Sequence, residues 1–161
     1  MTTTQVHRIY IRATAEKIWE AITTPEWTAR YGYRGPAHYE LTAGGRYEAE
    51  STKEMRDFGA PDIVVDGEVV ECDPPNKLVQ TWKMHFSPEL LAEPYTTLTW
   101  EIHEEHPGMC ALTVTHDVTG APTHGAQVGG SDAPLAQGGG GWPWILSDLK
   151  TLLETGSAFE G

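Results

Sequence analysis

Hydrophobic and polar residues alternate through the middle of the chain, and this pattern predicts a β-sheet. The stretches KLVQTWKM (77–84) and YTTLTWEIHEE (95–105) place apolar side chains at alternate positions, which is typical of strands with one buried face. Short turn sequences such as DPPN (73–76) and HPGM (106–109) separate the strands. Because sequential strands joined by short turns pair with their neighbours, we expect an antiparallel meander.

One strand and two short helices are predicted before this meander. Residues 6–12 alternate as a strand. Thr14 is then a favourable N-cap, with Glu16 in the first turn, where the helix dipole favours an anion. Thr24 and Pro25 begin a second helix, because proline is well accommodated at the first helical position. The whole pattern predicts an α+β fold with an antiparallel sheet of about seven strands.

A helical period dominates the C-terminal end of the chain. Apolar residues recur there at the spacing that gives a helix one buried face. They are Trp142, Ile145, Leu146, Leu149, Leu152 and Leu153. Asp148, Lys150 and Glu154 fall outside this stripe, and Gly156 is placed to end the helix. The pattern predicts a long C-terminal helix.

A glycine-rich segment, residues 119–141, precedes that helix and predicts a mobile loop. Its last four residues, 138–141, are glycines that run directly into Trp142 and Pro143. Two interpretations stay open. Either the glycines form a flexible, low-volume gate over a pocket, or they are a plain linker before a helix that begins near Pro143.

Composition excludes several classes of function. The 161 residues favour one domain, residues 1–161. The net charge of −12 repels phosphate backbones, so nucleic acid is not an expected partner. No apolar run is long enough to span a membrane, and the N-terminus has no secretory pattern. Cys72 and Cys110 are too few for a disulfide framework, so we expect reduced thiols in a cytoplasmic protein.

Metal and cofactor sites are not expected. His103 and His106 enclose two glutamates, but they lack the HExxH spacing that places two imidazoles on one helix face. Residues 129–133 lack the last glycine of a nucleophile elbow. A phosphate-binding loop of the GxxxxGK type is also missing from the sequence, which argues against an intrinsic ATPase.

Four stretches of the sequence, in their order along the chain, resemble the helix-grip fold. They are VHRIYIRATAEKIWEAITTPEWTARYG (6–32), TAGGRYE (42–48), VDGEVVECDPPNKLVQTW (65–82) and GGGGWPWILSDLKTLLETG (138–156). The chain looks like a single START-like domain of the SRPBCC superfamily, in the branch named for the activator of the heat-shock-protein-ninety ATPase. The resemblance implies that the C-terminal helix lies across the concave face of the sheet, with a cavity between them.

The superfamily includes lipid-transfer domains, pollen-allergen-like proteins and polyketide cyclases, so this fold does not determine one function. The resemblance favours a monomeric or weakly dimeric protein that holds a hydrophobic or aromatic small molecule in the cavity. A cyclase, dehydratase or hydrolase using the same cavity is an alternative. A chaperone cofactor that acts through its surface is another.

Strand alternation places a set of aromatic and polar side chains on the inner face of the sheet. With the helix, they form the expected ligand site: Tyr47, Trp82, Trp100, His116, Trp142 and Leu146. For Trp82 the opposite register, with Val79 and Thr81 inside, fits equally well. Tyr33 and Arg34 lie either at the rim of this pocket or on the surface.

His116 is the favoured candidate for a general base, ahead of His85 just after the strand 77–84. It follows Leu112 and Val114 in register, and an imidazole titrates near neutrality. The alternative is a histidine at a strand end whose ring is hydrogen-bonded to a backbone carbonyl or to water. No carboxylate or nucleophile is paired with His116 in the pattern, so an enzymatic role stays open.

Overall fold

The computed structural model describes residues 3–135 and 139–160 of the chain. The strands in this part are β1 (Thr4–Ile11), β2 (Ala37–Tyr39), β3 (Arg46–Glu50), β4 (Ile63–Asp73), β5 (Lys77–Met84), β6 (Thr96–His106) and β7 (Met109–Asp117). The helices are α1 (Ala15–Thr23), α2 (Pro25–Thr28), α3 (Lys53–Asp57), α4 (Pro88–Ala92), α5 (Pro122–Val128) and α6 (Gly141–Thr155).

The seven strands form one sheet in the order β1-β7-β6-β5-β4-β3-β2, and every neighbouring pair is antiparallel. The predicted meander is therefore confirmed, with β1 added to the edge next to β7. Strand β5 alternates strictly, and its buried side chains are Leu78, Gln80, Trp82 and Met84. This alternation places Trp82 inside.

The N-terminal helices begin as predicted. The Thr14 hydroxyl accepts a hydrogen bond from the Lys17 amide at 3.2 Å, which caps α1. Pro25 is the first residue of α2. Ile18 and Ile22 of α1 are buried in the hydrophobic core. The Tyr31 hydroxyl donates to the Ala21 carbonyl at 2.9 Å, which ties the chain after α2 to α1.

Helix α6 packs its apolar stripe into the same core. Trp142, Leu146, Leu149 and Leu152 are at most 4 % exposed. Gly156 adopts a left-handed φ of +88°, and its amide bonds the Leu152 carbonyl, as expected of a C-terminal cap. With α6 against the curved sheet, the α+β helix-grip fold implied by the resemblance is present.

Asp148 of α6 is buried in a way that the apolar stripe did not predict. Its side chain is 1 % exposed, although it falls outside the apolar stripe. One carboxylate oxygen accepts from the Gly32 amide and the other from the Phe159 amide, both at 2.8 Å. The carboxylate thus links α6 to Gly32, shortly after α2, and to Phe159 near the C-terminus. These two bonds satisfy the buried carboxylate oxygens.

The prediction of a loop over 119–141 is wrong for residues 122–128, which form α5. His124 and Val128 of this helix are buried. The prediction also covered residues 136–138, which lie outside the described residues. Short helices α3 and α4 were not predicted, although Thr52 and Ser87 cap them through their side chains.

The glycines before α6 are a second correction, because the described ones are tightly packed. A Cβ at Gly139 would overlap the Ala133 carbonyl, one at Gly140 would overlap Trp144, and one at Gly141 would overlap the Val128 carbonyl. Gly141 also has a φ of +58°. Gly141 therefore permits the close approach between the start of α6 and the end of α5, and Gly139 and Gly140 permit close packing against Ala133 and Trp144. Neither the gate nor the linker interpretation foresaw this packing.

Candidate ligand-binding site

A cavity of about 510 Å³ lies between the inner face of the sheet and the first turns of α6. Its size falls within the range typical of small-molecule sites. The sheet contributes Tyr47, Trp82, Met84, Leu98 and Trp100 to the lining. The opposite wall comprises Trp142 and Ile145 of α6 with Val128 of α5, and Tyr33 and Arg34 also line the cavity. The walls are mainly apolar.

Three indole rings form the floor of the cavity. The Trp100 and Trp142 ring centroids are 5.3 Å apart with perpendicular planes, and the Trp82 and Trp142 centroids are 6.3 Å apart. The edge-to-face arrangement of Trp100 and Trp142 is favourable for an aromatic pair, and Trp82 is tilted by 42° against Trp142. Tyr39 and Tyr47, with centroids 4.6 Å apart, extend the aromatic surface toward β2. The cavity therefore presents a broad π-surface to a ligand.

Burial raises the pKa of the Tyr39 and Tyr47 phenols well above the usual range. Desolvation is the main cause in both. Both groups are therefore neutral hydroxyls at every physiological pH. They offer hydrogen bonds without charge.

Gln80 organises the polar atoms behind this aromatic surface. It is fully buried on β5, and its Oε1 accepts from the Tyr39 hydroxyl at 2.8 Å and from the Trp100 indole at 3.2 Å. Its Nε2 has no hydrogen-bond partner among the described residues. Gln80 fixes the orientations of two rings, and the sequence reasoning missed it because one polar residue in a strand does not reveal its partners.

His116 lies behind the cavity and does not contribute to its lining among the described residues. Its Nδ1 accepts from the Trp142 indole at 3.0 Å, and its Nε2 lies 2.8 Å from the Thr96 hydroxyl. That hydroxyl in turn donates to the Trp82 carbonyl at 2.6 Å. Both ring nitrogens are thus occupied by structural hydrogen bonds.

Burial lowers the pKa of His116 to about 3, and nearby His124 and His7 add to this effect. The imidazole is therefore neutral at neutral pH. Its expected role as a base or ligand partner requires breaking one of these two hydrogen bonds. In the structure, His116 holds Trp142 in place at the cavity wall.

The structure brings Tyr47, Trp82, Trp100 and Trp142 of the predicted site together around one cavity. Leu146 is 1 % exposed and packs in the core, while the preceding helical position, Ile145, faces the cavity.

Glu93, the residue directly after α4, anchors α5, whose Val128 lines the cavity. The Glu93 carboxylate accepts from the Thr123 amide at 2.7 Å, from the His124 amide at 2.9 Å and from His124 Nδ1 at 2.8 Å. His124 Nε2 accepts from the Met84 amide at 2.9 Å. Burial opposes ionisation of Glu93, but the hydrogen bonds from His124 and Thr123 prevail and lower its pKa to about 2.

A second concave region, of about 560 Å³, is polar and lies around the β3–β4–β5 surface. Arg46, Asp66 and Tyr95 contribute to it, and the Tyr95 hydroxyl donates to Asp66 at 2.8 Å. No cluster of three or more metal-ligating side chains occurs in residues 3–135 and 139–160. Within those same ranges, no helix is long and apolar enough to cross a membrane.

The family model described as "Activator of Hsp90 ATPase homolog 1-like protein" matches residues 12–154. The chain belongs to this family. The match covers most of the sequence, including both N-terminal helices, strands β2 to β7 and nearly all of α6. No match was found among curated proteins.

Solved structures share the fold of this Hsp90-activator-like chain. PFC0360w, an HSP90 activator from Plasmodium falciparum, has a TM-score of 0.65 and 20% identity, with 95% of this chain and 97% of that chain covered. The Aha1 dimer from Colwellia psychrerythraea has a TM-score of 0.62 and 18% identity, with 96% and 98% covered. DynU16, a protein in the dynemicin biosynthetic locus, has a TM-score of 0.66 and 22% identity, with 98% and 49% covered.

Proposed function

We propose that this member of the Hsp90-activator-like family binds a hydrophobic or aromatic small molecule in the cavity between the sheet and α6. The observation that carries the proposal is the cavity itself, about 510 Å³ with indole and aliphatic walls. A ligand that fills it removes apolar surface from water, worth about 25 cal/mol per Å² before the costs of binding. The few polar groups at the walls orient the ligand rather than supply most of the affinity.

Substitutions that fill or reshape the cavity test this proposal. The neutral fluorescent probe N-phenyl-1-naphthylamine should bind saturably to the wild-type protein. Ala49→Phe places a ring into the lining and should weaken probe binding at least about tenfold, a change worth about 1.4 kcal/mol. Ala43→Phe, at an exposed position outside the lining, is the matched control and should bind like the wild type.

Trp142→Ala and Trp27→Ala form a second matched pair. Trp142 lines the cavity, whereas Trp27 lies outside it under the side chains of Lys17 and Arg30. Only Trp142→Ala should reduce probe affinity. In parallel, organic extraction of the purified protein followed by mass spectrometry reports any co-purified ligand. Absence of saturable probe binding to the wild type, together with an empty extract, would overturn the proposal.

A cofactor role with Hsp90 is the second candidate, supported by the family match and by the likeness to PFC0360w. Such a role would use the surface, so Ala49→Phe should leave Hsp90 binding unchanged while it weakens probe binding. An enzymatic role has less support, since both ring nitrogens of His116 are engaged in structural hydrogen bonds.

A further inference from the structure

Arg34 brings a positive charge to the wall of the cavity. It lies between α2 and β2, and it is the one lysine or arginine among the described lining residues. The remaining lining is mainly aromatic and aliphatic, with Glu50 as its one acidic member in the described chain. A guanidinium is charged at any physiological pH. Its position in a mainly apolar wall therefore requires an explanation.

The Arg34 guanidinium has a donor without an acceptor. Nη2 is buried, and no acceptor lies within hydrogen-bond distance among the described residues. A buried donor left unpaired is costly, and more so when it is charged. No ion pair joins Arg34 to Glu50 among the described residues, and the Glu50 carboxylate instead contacts His38 Nε2 at 2.6 Å. The acceptor that completes the site is therefore absent from the described part of the protein.

The backbone of Arg34 carries a second cost. Its φ is +65°, and it is the one non-glycine residue with a positive φ among the described residues. A side chain in this region is strained, and such strain persists where the surroundings hold the residue in place, often at ligand sites. The strained backbone and the unpaired donor thus occur at the same residue, on the wall of the cavity.

We propose that Arg34 binds a carboxylate on the ligand, so that the cavity takes an aliphatic or aromatic carboxylic acid. This inference rests on the proposed function and adds the chemical class of the ligand. Guanidinium and carboxylate match in geometry and form strong, charge-assisted hydrogen bonds. A monoanion suits the site better than a dianion. Arg34 supplies one positive charge, whereas Glu50 in the same lining and the net charge of −12 would repel a second negative charge on the ligand.

Competition between matched ligands tests the carboxylate separately from the apolar cavity. Decanoate and 1-decanol, which share one alkyl chain, displace N-phenyl-1-naphthylamine from the wild type and from Arg34→Gln. We expect decanoate to lose about tenfold or more in affinity on Arg34→Gln, while 1-decanol and the probe bind as before. Arg8→Gln, on β1 outside the lining, should leave all three affinities unchanged.

The outcomes separate the two proposals. If the probe and 1-decanol bind but Arg34→Gln leaves decanoate unaffected, or weakens both competitors equally, the carboxylate inference is wrong and the apolar cavity stands. If neither the probe nor either competitor binds the wild type, both proposals are overturned.

Arg34→Gly is a second variant that separates loss of the guanidinium from loss of folding. Glycine adopts a positive φ without strain, so the melting temperature should hold or rise by a few degrees. Decanoate affinity should nevertheless fall as in Arg34→Gln. A purely structural arginine predicts the opposite, a lower melting temperature with the preference for decanoate intact.

Discussion

The hydrogen-bond partners of His116 determine its tautomer. The Trp142 indole can only donate, so His116 Nδ1 is the acceptor and the ring hydrogen resides on Nε2. That hydrogen is donated to the Thr96 oxygen, whose own hydrogen goes to the Trp82 carbonyl. Protonation of Nδ1 would break the bond to Trp142. The neutral ring is thus part of the packing between α6 and the sheet.

We expect His116 to make the protein less stable in acid. Its pKa is about 3 in the folded state and near 6.5 when unfolded, so between these values the unfolded chain binds the extra proton. The neutral His116 ring makes its full contribution to the free energy of unfolding above pH 6.5, and this contribution is lost as the pH falls toward 3. As the pH is lowered between these two values, the free energy of unfolding should therefore fall more steeply in the wild type than in His116→Gln. The difference between the two slopes should be about 1.4 kcal/mol per pH unit.

Urea denaturation at several pH values between 4 and 7 measures both slopes. All other titrating groups are common to the two proteins, so the difference isolates His116. Equal slopes would show that this ring is not held neutral.

The side of the sheet on which a strand residue lies was predictable, because alternation alone determines it. Contacts between residues distant in the sequence were not predictable. The inward orientation of Trp100 and His116 follows from a period of two. The burial of Asp148 was not predicted, because a helical period sorts residues by hydrophobicity and cannot reveal that two distant amides, those of Gly32 and Phe159, approach its carboxylate. Gln80 escaped notice for the same reason.

The junction of α5 and α6 depends on glycine for two separate reasons, a left-handed backbone and the lack of a side chain. Gly141 has both requirements, because its φ is +58° and a Cβ would overlap the Val128 carbonyl. Gly108, in the turn between β6 and β7, has a φ of +80°, but a Cβ at this position would meet no atom within 4 Å. The pair therefore separates conformational strain from steric overlap.

Gly141→Ala should destabilise the protein more than Gly108→Ala. We expect a loss of about 1 kcal/mol for Gly108→Ala from strain alone, and at least about 2 kcal/mol for Gly141→Ala, because overlap adds to strain. Chemical denaturation provides both free energies of unfolding. Equal losses would mean that the junction is loose, as the linker interpretation assumed.

Helix α5 shows why one segment of the chain was misassigned. Its sequence, PTHGAQV, is short and polar with an internal glycine, so local propensity favours a loop. The helix is held instead by Glu93, about thirty positions earlier, through hydrogen bonds to Thr123 and His124. A non-local anchor of this kind leaves no periodic signal in the sequence.

For the whole molecule, ligand binding and folding are linked by mass action. A ligand that binds only the folded state at one hundred times its Kd adds about 2.7 kcal/mol to the free energy of unfolding. For a chain of this size, that corresponds to a rise in melting temperature of roughly 5–10 °C. We expect such a rise with decanoate in the wild type and, at the same concentration, a rise at most about half as large in Ala49→Phe, because a tenfold loss of affinity leaves about 1.4 kcal/mol. A similar shift in both would indicate binding elsewhere on the protein.

The architecture was predictable because its signals are repeated over the whole chain. Each strand, turn and terminal helix carried its own pattern, and the order of the elements matched the helix-grip fold. The cavity could be expected only from the resemblance. The identity of the lining residues depends on the distance between α6 and the sheet and on the rotation of α6 about its axis. For this reason Ile145 lines the cavity, whereas Leu146 had been predicted to do so.

The indole cluster at the floor of the cavity has an optical consequence. Trp100 and Trp142, with centroids 5.3 Å apart, and Trp82, 6.3 Å from Trp142, are close enough for their excited states to mix. Such coupling produces paired bands of opposite sign in the circular dichroism spectrum, whose intensity depends on the mutual angles of the rings. Any occupant that rotates one ring would alter these bands. The circular dichroism spectrum of the unlabelled protein thus reports the arrangement of the three indole rings in the cavity.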